Sequence, residues 1–298
     1  GMLSMMSVLK YIDTKKILWG IGAILFLLMS ILSKRTGIAF IPIIALSAYF
    51  FRNIKFYWVF IICGAFTLLV FVRKLMTMGL VGEAVAREKQ FFENPLYFSE
   101  SFMNRVPMFF YSMLYYIKLV LVPYPLQYYY GYAEIEIATW KDPVVWIGAV
   151  GLTALVLWLF YRIKKKELWV FGALFFFLGI GGACNLMFPA VGIIAERFAF
   201  TASVGFSIAL GVLLHTMITQ AGKHKLLSKA SKPFTLVFIG AITVTSLVVV
   251  TGRNKEWKDR PTLYKADIVK LEESAKAHSL IAQYYAKEVR SLQGQLQK

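Results

Sequence analysis

Apolar residues in this chain run together in long blocks separated by short basic clusters. They show neither the strict alternation of a half-buried strand nor the single stripe of a surface helix. The blocks cover residues 17–32, 38–51, 56–72, 144–161, 168–188, 197–218 and 234–250. Several of them reach or nearly reach the roughly 20 residues that a helix needs to cross a bilayer. The pattern predicts an all-α fold, a polytopic transmembrane helix bundle of about seven spans. The opening apolar stretch, residues 2–9, is too short to cross.

The basic clusters orient the blocks. Lys10, Lys15 and Lys16 precede the first, Arg52 and Lys55 follow the second, and Arg162 with Lys164, Lys165 and Lys166 closes the block at 144–161. Lys223, His224, Lys225, Lys229 and Lys232 lie before the last. The positive-inside rule places these clusters in the cytoplasm. Residues 73–104, the loop opened by Pro123-Tyr124-Pro125-Leu126, the turn at 189–196 and everything beyond 251 then face outward. Parity puts both ends of the aromatic segment 105–122 on that same side. It therefore reads as re-entrant or interfacial, unless a neighbouring loop is misassigned.

Two regions follow: a multi-pass domain over 1–251 and an extracytoplasmic helical tail over 252–298. Leu263, Ile268, Leu271, Ala275, Leu280 and Ile281 keep helical spacing in the tail, and Pro261 suits a helix's first turn.

Composition agrees with a membrane class: 58% of residues are hydrophobic and 16% charged. The net charge of +17 sits in the loops and tail as a bilayer requires, so it argues for membrane orientation and against nucleic acid as a partner. Cys63 and Cys184 both fall in apolar blocks, and His215, His224 and His278 are scattered singly. These positions suggest neither a disulfide framework nor a metal site, and no cofactor is implied. The chain begins at Gly1 rather than a methionine, which reads either as an added residue or as the start of a piece of something longer.

The chemistry gathers on the predicted outer side. Lys34 and Arg35 end the first block, and Glu196 and Arg197 open another, where an ionisable pair is costly unless used or satisfied. Tyr128, Tyr129, Tyr130 and Tyr132 lie in the loop between. Arginine can grip phosphate oxygens bidentately, lysine supplies a point charge, and tyrosine rings offer stacking faces. Such a surface suits an anionic lipid headgroup carrying a sugar. Each feature also has a plainer reading: snorkelling anchors, a structural ion pair and an interfacial aromatic belt.

Several short motifs then occur in a family-like order. They are Ser33-Lys34, Glu93-Asn94-Pro95-Leu96 followed by Arg105, Pro123-Tyr124-Pro125-Leu126 with Tyr129, Ala195-Glu196-Arg197-Phe198 with Ser203-Val204-Gly205-Phe206, and Arg253-Asn254-Lys255-Glu256-Trp257-Lys258-Asp259. Together they resemble the later membrane half of the transmembrane and tetratricopeptide-repeat glycosyltransferases, GT-C-fold enzymes related to protein O-mannosyltransferases. Departures are Arg35, where the family commonly has an acid, and Phe198, where it commonly has tyrosine. Ser274-Ala275-Lys276-Ala277-His278 looks like the start of one tetratricopeptide unit.

The resemblance implies transfer of a sugar from a polyprenyl-phosphate donor to a protein or glycan hydroxyl on the extracytoplasmic face of a bacterial inner membrane. It makes Lys34, Arg105 and Arg197 candidates to hold the donor phosphate, Glu196 to orient Arg197, and Tyr128, Tyr129 and Tyr130 a sugar or acceptor platform. The family's acidic catalytic motif has no counterpart here. A base for the acceptor hydroxyl is therefore unassigned, with Glu93, Glu100, Glu134 and Glu136 as fallback candidates. A non-catalytic protein that binds a polyprenyl lipid or scaffolds a partner is the alternative. A transporter fits less well, because the spans hold almost no ionisable residues.

Overall fold

The computed structural model describes the backbone of all residues except Asn53, 82–88, Glu100, 221–224 and 297–298. For Arg35 and residues 73–74, 76–81, 218, 220, 225–232, 234–235 and 296 it describes the backbone alone. Glu100, Lys223 and His224, singled out above, lie outside the described residues. Among those described, the regular structure is helical and no strand forms; one isolated antiparallel bridge joins Tyr130 and Ile194.

The helices are α1 (Met2–Thr14), α2 (Ile17–Ser33), α3 (Phe40–Phe51), α4 (Tyr57–Val81), α5 (Arg105–Leu121), α6 (Pro143–Arg162), α7 (Leu168–Gly181), α8 (Glu196–Gln220), α9 (Lys225–Glu256), α10 (Arg260–Ile268) and α11 (Ala275–Leu296). Among the described residues, three stretches are long and apolar enough to cross a membrane: Pro143–Lys165, Glu196–Met217 and Leu236–Glu256. The apolar helices at Ile17–Ser33, Thr36–Phe51, Tyr57–Val72 and Leu168–Gly181 are shorter. Only 6% of the apolar window in α9 is buried within the protein. A helix that is apolar all round and left uncovered calls for a nonaqueous surrounding.

The chain forms two compact units. The first comprises Gly1–Glu88, Ile147–Ala183 and Phe198–Leu210; the second comprises Lys89–Trp146, Cys184–Arg197 and Gly211–Lys298. The tail beyond residue 251 thus belongs with the loop segments.

In the first unit, Leu27, Ile43, Ile44, Leu159, Val170 and Phe175 form a closed core. The short α1 is fastened to α2 by Ser4, whose hydroxyl donates to the Ala23 carbonyl at 2.7 Å. Helices α7 and α8 meet backbone to backbone. A Cβ on Gly205 would stand 2.5 Å from the Gly172 carbonyl oxygen, and one on Gly172 would stand 2.6 Å from the Ala209 nitrogen. Such small-residue crossings let helices approach closely where apolar surface alone gives no drive to associate in lipid.

The tail is two helices. Asp259 caps α10 by accepting from the Thr262 N–H at 2.9 Å, with Pro261 in the first turn. Leu271 and Ala277 are buried against Tyr129. A lone helical pair buries little by itself, and Tyr129 supplies apolar surface for this one to pack on.

Candidate functional site

The second unit is stitched together by polar side chains that lie far apart in sequence. Asn185, fully buried and with φ of 63°, uses its whole amide. Its Nδ2 donates to the Ile193 carbonyl at 2.8 Å and to Ser112 Oγ at 3.2 Å. Its Oδ1 accepts from the Ala190 N–H at 2.8 Å and from Asn94 Nδ2 at 2.9 Å. Asn94 in turn caps the 3-10 turn Pro95–Phe98 by accepting from the Leu96 N–H. A buried amide satisfied at both ends fixes the loops it joins, because any shift strands a polar group.

Glu196 opens α8 under the tyrosine loop, in which the Tyr124–Pro125 peptide is cis. Its Oε1 lies 2.7 Å from the Tyr130 hydroxyl and 2.7 Å from the Gln127 nitrogen. The Tyr130 oxygen is also 2.9 Å from the Pro125 carbonyl, but its single proton goes to the carboxylate as the stronger acceptor. Burial, and then Glu196, pushes the Tyr130 phenol far above its ordinary range. The Glu196 hydrogen bonds described thus run to the tyrosine loop.

A second anchor joins the end of α9 to the tail. Arg253, 8% exposed, grips the fully buried Asp267 with two bonds of 2.6 and 2.7 Å and also pairs with Glu256. The Tyr128 N–H donates to the same Asp267 at 2.7 Å. The Tyr128 ring packs on Tyr264 at 5.2 Å, and burial, followed by Tyr264 and Asp267, raises its phenol. Asp267 lay outside the sequence reading because one acid in a charged tail looks like any other until its burial is known.

The cationic candidates separate. Arg105, at the start of α5, reaches the Met187 carbonyl with Nη1 at 3.4 Å, and its Nε is buried without an acceptor among the described residues. Arg197 reaches the Val191 carbonyl with Nη2, also at 3.4 Å. Both guanidinium groups therefore lean on one short loop, on which Met187 and Phe188 are 69% and 75% exposed. Lys34 is exposed at the end of α2 and belongs to the first unit.

Two of the three tyrosines expected as a platform turn inward, Tyr130 at 1% and Tyr129 at 9% exposed, while Tyr128 is half-buried. Exposed aromatic faces occur instead at Phe91, Phe98, Tyr132 and Trp140, which line a pocket of about 690 Å³. Among the acids, Glu93 is buried and paired with Lys276 at 3.0 Å. Glu134 accepts from Gln127 Nε2 at 2.9 Å, and Glu136 is exposed on the pocket. Compared with protein-family models, with curated proteins and with solved structures, the chain has no match.

Proposed function

We propose that Arg105 and Arg197 hold the phosphate of a polyprenyl-phosphate sugar, and that the chain is the donor-binding half of a GT-C-type membrane glycosyltransferase working on the extracytoplasmic face. The observation that carries this reading is the meeting of two guanidinium groups at one short loop: Arg105 and Arg197 reach the Met187 and Val191 carbonyls, each at 3.4 Å. The Arg105 bond is weak at that length, and a phosphate with several anionic oxygens offers charge-assisted bonds in its place. The unsatisfied Arg105 Nε adds a donor. Exposed Met187 and Phe188 on the same loop suit the prenyl chain.

The acceptor is a protein or glycan hydroxyl. Glu93 is already committed to Lys276, which favours a base supplied by other sequence or by a partner. A lipid-binding protein without turnover is the second reading, favoured by that same pairing.

The fuller topology belongs to this proposal. The apolar helices α2, α3, α4 and α7 serve as further crossings, making about seven; α5 lies re-entrant, and the tail is outside. A cysteine placed at Glu272 is then labelled by an impermeant maleimide in intact cells, and labelling only after lysis refutes the orientation.

Binding is tested with the full chain in nanodiscs and a radiolabelled polyprenyl-phosphate mannose. Arg197→Ala abolishes measurable binding. Arg105→Ala weakens it about ten- to a hundredfold, the worth of a charged hydrogen bond. Unchanged affinity in both variants, with a native elution profile, refutes the site.

A further inference from the structure

We propose that the pocket lined by Phe91, Phe98, Tyr132 and Trp140 binds an uncharged carbohydrate. Three of its rings form a continuous wall: Phe91 sits 5.2 Å from Tyr132 and 6.1 Å from Phe98, centre to centre. Across the sequence Trp140 is held by Trp146, whose indole N–H donates to the Trp140 carbonyl at 2.9 Å while the two rings lie 5.0 Å apart. All four rings are exposed, from 38% for Trp140 to 56% for Phe98. Fixed aromatic faces open to the outside are costly in water, and they are the surfaces on which a flat, weakly polar ligand stacks.

The polar members of the lining identify the ligand's chemistry. Asn104 and Thr139 carry hydrogen-bonding side chains, and Glu136 presents an exposed carboxylate that accepts and does not donate. Asn104 is fixed by donating from Nδ2 to Ser99 Oγ at 3.1 Å. Among the described lining residues there is no lysine or arginine, so an anionic ligand has no counter-charge. A hydrocarbon chain would cover the Glu136 carboxylate without giving it a partner, which is unfavourable. A sugar answers both halves of the surface: its C–H faces lie on the rings, and its hydroxyls donate to Glu136 and bond to Asn104 and Thr139. The volume of about 690 Å³ lies within the range of small-molecule pockets.

This inference goes beyond the donor reading and stands without it. If both hold, the pocket is where a glycan acceptor is gathered.

The experiment uses the full chain in phosphatidylcholine nanodiscs and saturation-transfer NMR with four neutral disaccharides: maltose, cellobiose, chitobiose and mannobiose. At least one gives a saturable signal. Glu136→Gln lowers its affinity about tenfold, the loss of one charge-assisted bond, and Trp140→Ala lowers it by a similar factor through lost stacking. Arg105→Ala leaves sugar binding intact, and Glu136→Gln leaves polyprenyl-phosphate binding intact, so failure of one site is distinguishable from failure of the other. Absence of saturable signal from all four sugars overturns the proposal, as does a signal unchanged in both pocket variants. A fall in quenching by brominated phosphatidylcholine on Trp140→Phe, against the background of the other tryptophans, would assign the pocket to lipid and overturn it equally.

Discussion

The anchor between α9 and the tail gives the sharpest prediction. Asp267 is fully buried, holds Arg253 through two short bonds and accepts the Tyr128 N–H. Asp267→Ala leaves Arg253, itself 8% exposed, with Glu256 as its described ion-pair partner. Stranding one member of a buried pair costs about 3–5 kcal/mol. Glu256 remains to Arg253, so the ionic part falls near the lower end, at about 3 kcal/mol. The unpaired Tyr128 amide adds about 1–3 kcal/mol. The two together, about 4–6 kcal/mol, correspond to a rise in opening of about three to four orders of magnitude. Hydrogen exchange of the full chain in nanodiscs reads this directly: amides of α10 lose about a thousandfold protection or more, while those of α3 do not change. The double variant Arg253→Met, Asp267→Leu recovers at least half the loss, because replacing both members of a buried pair by apolar side chains is often near neutral. Less than threefold deprotection in Asp267→Ala, or a double variant worse than the single, would refute the reasoning.

Two further predictions concern the helices. Gly205→Val drives the new side chain into the Gly172 carbonyl, 2.5 Å from the first added carbon; it lowers the midpoint of thermal unfolding sharply, whereas Gly211→Ala, which meets nothing within 4 Å, leaves it equal or slightly higher. The Thr262 side-chain and backbone hydrogen bonds hold the Asp259 carboxyl below the ordinary aspartate range. Its capping contribution is therefore present above the unfolded value and is lost as pH falls through the lower folded value. Exchange at the Thr262 amide, normalised for intrinsic rate, accelerates between pH 5 and pH 2 in the parent chain, and an Asp259→Ala variant that keeps the same pH dependence would contradict the cap.

Short-range features were legible in the sequence. Apolar blocks are visible for most of the long helices, and the ends of α2, α3 and α6 fall near the basic and turn residues that mark them, whereas α7 stops at Gly181, short of the apolar block that runs to 188. Pro261 stands in a first turn for a reason that needs three residues of context. Arg105, Arg197 and Glu196 could be singled out because an ion beside an apolar run is conspicuous.

Pairing was not legible, because it depends on which distant groups share a buried volume. Glu196 bonds Gln127 and Tyr130, nearly seventy positions away. Tyr129 and Tyr130 face inward because the tail and the turn at Ile194 cover them, and sequence alone gives an interfacial tyrosine and a buried one the same letter. Asn94 and Asn185, 91 positions apart, are polar residues whose role appears only once neither can reach water. The sequence by itself determined that the chain is helical, strongly apolar and basic at its loops, since those follow from local hydrophobicity and charge. Only the tertiary structure decided which arginines meet at one loop, which aromatic rings stay exposed and which acids are already paired, since burial and partnership are properties of the packed chain.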